Sequence, residues 1–294
     1  MSEIRFSDVR TNGVMLHLAE AGPSDGPVVF LLHGFPEYWQ TWENYIGPLA
    51  KAGFHVIAPD QRGYNLSEKP LGIAAYDLDQ LAADITSLAD HFEANHFSVI
   101  GHDWGGTVGW WIAMHSPTRL DRLAVINAPH PSVWREAMQS NPQQRRKSLY
   151  VKLFRVPWLP EFLLRRRRFA ALAQSLEATA AGSTQAERDR YLAAWSVPGA
   201  LTAMLNWYRA FLKKDLPQSG DLRIVTPVLL IWGEQDPFGV RELAQASLRL
   251  CVHGRAIYFS DASHWVHREE GARCLQVLLE FLAKGDAKAP TTNP

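Results

Sequence analysis

The run Val99-Ile100-Gly101-His102-Asp103-Trp104-Gly105-Gly106 constrains this chain more than any other. Phe97, Val99 and Ile100 read as the end of a short buried strand, and Thr107 to His115 as a tightly packed helix, so a strand meets a helix through glycines. Small residues on both sides of Asp103 let the backbone turn sharply and present that one side chain in a strained, exposed position. An aspartate after a strand also serves as a helix N-cap, because its oxygen accepts the free N–H groups of the first turn. The residues that accompany it decide between the two.

The flanking pattern is strand, helix, strand, helix, strand. Val28 to Leu32 is a continuous apolar run of the kind buried on both faces of a sheet, a helix is expected over Trp42 to Lys51 with Gly53 as its C-terminal cap, and His55 to Ala58 is the next strand. Apolar residues recur at helical spacing from Leu78 to Phe92 before the strand that leads to Asp103, and Leu123 to Ile126 follows as another buried strand. Val14 to Ala21 alternates as an edge strand would. After Pro131 the rhythm stops, resuming with Val228 to Trp232, a helix near Arg241 to Leu250, a strand over Arg255 to Phe259 and a last helix from Glu269 to Leu282. The fold class is therefore α/β: a mostly parallel sheet with helices on both faces and an inserted helical cap. Residues 1–131 and 223–294 are expected to form the core, 132–222 the cap, and the Pro- and Thr-rich tail from about 285 to be disordered.

Composition narrows the function classes. With 294 residues and 47% apolar content the chain has material for one large core, and a formal net charge of zero calls for neither nucleic acid nor an anionic membrane as partner. The basic stretch that includes Arg165 to Arg168 reads as a solvated helical face and turn. Cys251 and Cys274 lack metal or redox spacing, the opening MSEIRFSDVR lacks a signal-peptide core, and no apolar run reaches membrane-spanning length. The expected setting is cytoplasmic, with a small molecule as partner and neither cofactor nor metal.

A carboxylate in the turn specifies the chemistry. Attack by Asp103 on a saturated carbon gives an alkyl ester whose carbonyl carbon then takes water, so one hard displacement becomes two easier steps. A serine there would leave an ether that no active-site base opens. Asp236, after the strand ending at Trp232, and His264, after the last strand, supply an acid and a base in the chain order nucleophile, acid, histidine. His264 would take a proton from the attacking water while Asp236 fixes its tautomer; Glu234, two residues earlier, is the rival acid. Backbone N–H groups of Trp104 and Phe35 are placed to hold the ester oxygen, and a cis peptide before Pro36 would aim the latter inward.

These residues together carry a resemblance. His33-Gly34-Phe35-Pro36-Glu37, Asp60-Gln61-Arg62-Gly63-Tyr64 and Gly101-His102-Asp103-Trp104-Gly105-Gly106, with Asp236 and His264, are similar to the α/β-hydrolase-fold epoxide hydrolases, over nearly the whole chain. Asn65 stands where relatives commonly have glycine, in a turn where Asn tolerates positive φ. The resemblance implies two cap tyrosines whose hydroxyls bond the epoxide oxygen. Tyr150, with Pro157 seven residues on, and Tyr208, in Leu205-Asn206-Trp207-Tyr208-Arg209, match their settings. The substrate implied is an apolar epoxide, with His33, Pro36, Phe154, Trp207 and Trp265 around it.

Two other readings remain open at this stage. Haloalkane and haloacetate dehalogenases use the same Asp nucleophile, and Trp104 with Trp158, Trp195 or Trp207 would offer indole N–H groups to a halide. They typically carry, however, an amide donor where this chain has Phe35, or an arginine where it has Trp104. A non-catalytic ligand-binding relative would be expected to have lost a member of the set, and all five groups are present.

Overall fold

In the computed structural model, which describes residues 3–177 and 184–283, eight strands form one sheet in the order β1-β2-β4-β3-β5-β6-β7-β8. The strands are β1 (Arg5–Thr11), β2 (Val14–Ala21), β3 (Val28–Leu32), β4 (His55–Pro59), β5 (Phe97–His102), β6 (Leu120–Ile126), β7 (Val228–Gly233) and β8 (Gly254–Phe259). β2 is antiparallel to β1 and β4, and the pairings from β4 through β8 are parallel. The tail expected to be disordered lies outside the described residues.

The two-residue period of a strand divides the core. Phe30, Val99, Val125 and Leu230 point to one face, where they meet the helices Leu78–His91, Trp104–His115 and Glu242–Leu248; Leu31, Ile100, Ala124 and Ile231 point to the other, against Glu43–Lys51 and Gly271–Ala283. Burial on both faces is why these strands read as unbroken apolar runs rather than as alternating ones. β1 departs from the sequence expectation. Val14–Ala21 is not the edge: it lies inside β1, whose sequence RFSDVRT buries only Val9 and Thr11 and so carries little apolar signal.

Between β6 and β7 the described chain holds helices and no strand. The helices Pro131–Ser140, Pro142–Lys147, Leu149–Phe154, Leu159–Glu177, Gln185–Ser196 and Ala200–Phe211 lie there. Proline opens the first two at a position whose N–H would be unpaired in any case. The helix Leu159–Glu177 is broken at Arg166–Phe169, where Arg167, Arg168 and Phe169 take positive φ. Arg165 to Arg168 are all exposed at this break.

The sheet delivers Asp103 to its place through close backbone contact. A Cβ on Gly105 would lie 2.1 Å from the Leu32 carbonyl oxygen, and one on Gly101 would lie 2.4 Å from Gly105, so the turn packs directly on β3. Backbone on both sides leaves nothing flexible to yield. Gly105→Ala is therefore expected to destabilise the fold by roughly 3 kcal/mol or more, read as a fall in the urea midpoint; an unchanged midpoint would mean that the turn has slack which its geometry denies.

Candidate active site

Asp103 sits between β5 and the helix Trp104–His115 with φ +49° and ψ −115°, a conformation that L-residues rarely adopt. The strain aims its carboxylate away from the sheet. The Phe35 N–H donates to Asp103 Oδ1 at 2.9 Å, and His264 Nε2 stands 3.6 Å from Oδ2, so the two oxygens face different partners. The peptide between Phe35 and Pro36 is cis.

His264 is bound from behind. Its Nδ1–H donates to Asp236 Oδ2 at 2.9 Å, and that buried carboxylate also accepts from Asn127 Nδ2 at 2.7 Å and from the N–H groups of Phe238 and Gly239. Burial opposes the Asp236 charge, but His264 beside it and these donors hold its pKa below the usual range. Burial likewise works against a charged His264, yet Asp236 and Asp103 together raise its pKa to about 10. The two carboxylates thus favour the imidazolium form of the ring. Glu234, the rival acid, pairs with Arg241 at 2.8 Å instead.

A cavity opens over Asp103, Asp236 and His264, and Tyr150 and Tyr208 from the inserted helices line it too. Burial, and then the charges nearby, push both phenols above their ordinary pKa, so they stay protonated. One buried side chain ties the two together. Arg209, next to Tyr208, donates to the carbonyls of Phe154 and Val156 at 3.0 Å, which end the Tyr150 helix, and pairs through two nitrogens with Glu161.

A second buried group lies behind Asp103. His102 Nδ1 is 2.8 Å from Glu37 Oε2, its Nε2 is 3.0 Å from the His264 carbonyl, and His267 Nε2 reaches Glu37 Oε1 at 3.2 Å. Both His102 nitrogens face acceptors. Burial opposes the Glu37 charge, yet the two histidines hold its pKa well below the usual range, whereas burial lowers His267 to about 4 and keeps it neutral. The three are close enough to ligate a cation, but their atoms are occupied by one another. They join the Phe35 loop, the Asp103 turn and the His264 loop.

The structure places the five residues expected around the substrate behind the cavity's own walls. His33, Pro36, Phe154, Trp207 and Trp265 do not line the cavity. His33 Nε2 accepts from Gln61, the Pro36 carbonyl accepts from the Trp195 indole, and the indoles of Trp207 and Trp265 donate to Arg62 and Ser175 carbonyls. Phe154 packs behind Phe35, Tyr150 and Tyr208. The walls are instead Thr107, Pro129, Trp134, Phe211, Phe238 and Leu243 with their neighbours. Asn127 is a further residue that sequence reasoning passes over; its only signal is its place at the carboxyl end of β6, beside β7.

The model of the α/β-hydrolase fold family matches residues 27–271. The chain belongs to this family. This α/β hydrolase is 46% identical over 284 residues to AB hydrolase superfamily protein YfhM of Bacillus subtilis, covering 96% of this chain and 99% of that one. It is 34% identical to epoxide hydrolase 2 of Caenorhabditis elegans, over 96% of this chain and 81% of that one. The crystal structure of a Bacillus megaterium epoxide hydrolase in complex with an inhibitor superposes with a TM-score of 0.84 at 28% identity, covering 95% of this chain and 100% of the other. By these relatives the hydrolase falls in the epoxide hydrolase branch.

The His264 geometry makes a measurable statement. Removing the Asp103 charge, as Asp103→Asn does, takes away one of the two carboxylates that hold the imidazolium, so the His264 pKa is expected to fall from about 10. Nitrogen-15 NMR of the imidazole reads it directly. A value unchanged by the substitution would assign the whole effect to Asp236.

Proposed function

We propose that the protein hydrolyses an apolar epoxide to a vicinal diol through a covalent ester on Asp103. The observation that carries this reading is the cavity shared by a carboxylate, two protonated phenols and the His264–Asp236 pair. Asp103 Oδ2, free of the Phe35 N–H, attacks a ring carbon as the carbon–oxygen bond breaks. The leaving oxygen remains attached to the product, held by the Tyr150 and Tyr208 hydroxyls; one of them gives it its proton and regains one when His264 later releases its own. Oδ1 stays on the Phe35 N–H as the ester carbonyl, with the Trp104 N–H as the second donor for the oxyanion.

Esterification also sets the timing of the base. Once Asp103 is alkylated its charge is gone, the pKa of His264 falls, and the proton it releases balances the one taken up by the opened ring. The neutral imidazole then draws a proton from water, which attacks the ester carbonyl carbon; collapse returns the Asp103 carboxylate, the His264 imidazolium and the diol. The cap, taken as residues 132–222 with core segments 1–131 and 223–294, supplies the two acids. Free Cys251 and Cys274 fit a cytoplasmic setting.

Dehalogenation fits less well. Of the indoles that would join Trp104 in holding a halide, Trp158 is 84% exposed, while Trp195 and Trp207 donate to backbone carbonyls away from Asp103.

His264→Gln, incubated with an aryl epoxide, is expected to accumulate protein heavier by the whole epoxide in intact mass spectra, and Asp103→Ala to show neither adduct nor turnover. Normal turnover by the His264 variant would remove histidine from the role of base. Tyr150→Phe and Tyr208→Phe are each expected to slow ring opening by about 10²-fold. Wild-type protein given an epoxide and a bromoalkane together is expected to release diol without halide; halide without diol would overturn the assignment.

A further inference from the structure

The inserted helices carry an outer face that the reaction does not use. Among the described residues twelve large apolar side chains stand exposed, and seven of them fall within residues 149–163. Trp158 is 84% exposed, Phe162 63% and Leu149 55%, with Leu153, Val156 and Leu163 around them. Scattered exposed apolar residues are ordinary, but such concentration in fifteen residues marks a contact surface.

The polar residues of the same stretch share one sign. Arg145, Arg146, Lys152, Arg155 and Arg165 to Arg168 are exposed, and none of them is in an ion pair among the described residues. Between Gln143 and Leu176 the sole acidic residue is Glu161, which is buried against Arg209. A net charge of zero over the chain therefore conceals a strongly cationic face.

From this conjunction we infer that the face formed by residues 145–168 docks peripherally on an anionic lipid surface. Tryptophan, phenylalanine and leucine set among arginines match the boundary between acyl chains and headgroups, where rings enter and guanidinium groups stay with phosphates. No helix among the described residues is long and apolar enough to cross a membrane, so the contact is one of lying on the bilayer. A second copy of this chain is the weaker occupant, because a two-fold contact through this face would set eight cations against eight. Nor do segments 178–183 and 284–294 contain a large apolar side chain to cover it. The helix Leu149–Phe154 turns Leu149 and Leu153 outward while Tyr150 lines the cavity, so a docked chain would hold its reaction chamber one helix from the lipid. The docking stands independently of the reaction assigned above, since it rests on the outer face alone.

Cosedimentation of the full chain with vesicles tests it. Equimolar phosphatidylglycerol and phosphatidylcholine vesicles are expected to bind the protein at low salt, with about tenfold weaker binding to pure phosphatidylcholine or in high salt. The double variant Trp158→Ser with Phe162→Ser, and the quadruple variant with Arg165 to Arg168 each changed to Gln, are each expected to lose at least about tenfold in binding while turnover of a dissolved epoxide is unchanged. No binding to anionic vesicles at low salt would overturn the inference, as would binding that neither variant weakens. Sedimentation velocity without vesicles adds the other arm: a dimer abolished by the double variant would make the face a subunit contact instead.

Discussion

The whole candidate site depends on how closely the Asp103 turn packs on β3. Glycine at 101 and 105 lets the start of the helix Trp104–His115 touch the Leu32 carbonyl, and glycine at 34 lets the next loop come up against the Asp103 side chain itself. Side chains at any of these points would hold the two loops apart. With them removed, the Phe35 N–H reaches the Asp103 carboxylate, and the positive φ at Asp103 persists because the surrounding backbone over-determines it.

Electrostatics then distribute labour among groups of similar chemistry. Three carboxylates lie near one another, yet each has its own counterpart: Asp103 the Phe35 N–H, Asp236 the His264 ring and Asn127, Glu37 the two histidines behind. Neutralising any one changes the field felt by His264 or its backbone. In the proposed reaction His264 would thus be regulated by the reaction's own progress, without a moving part.

How far the sequence foretells this varies with the kind of interaction. The Asp103 turn, seven of the eight strands and the inserted helices are legible because each rests on local pattern: glycines around one carboxylate, apolar runs of strand length, helical spacing. β1 is not, because an edge strand that buries two residues has almost no pattern to show. The cavity walls escape for a different reason. Trp207 and Trp265 look like pocket residues by type, but whether an indole faces a cavity or a carbonyl is decided by tertiary neighbours from Arg62 and Ser175. The Arg165–Arg168 run shows the limit of a summed charge, which averages away segregation along the chain.

The Arg209 guanidinium has a consequence for how this enzyme could be reshaped. Because it grips the carbonyls that close the Tyr150 helix while standing beside Tyr208, the two phenols form a single rigid jaw. Any swing of the inserted helices would then carry both phenols together. Pocket engineering that leaves this clasp alone and varies Trp134, Phe211 or Leu243 would change what fits between the teeth without changing the bite.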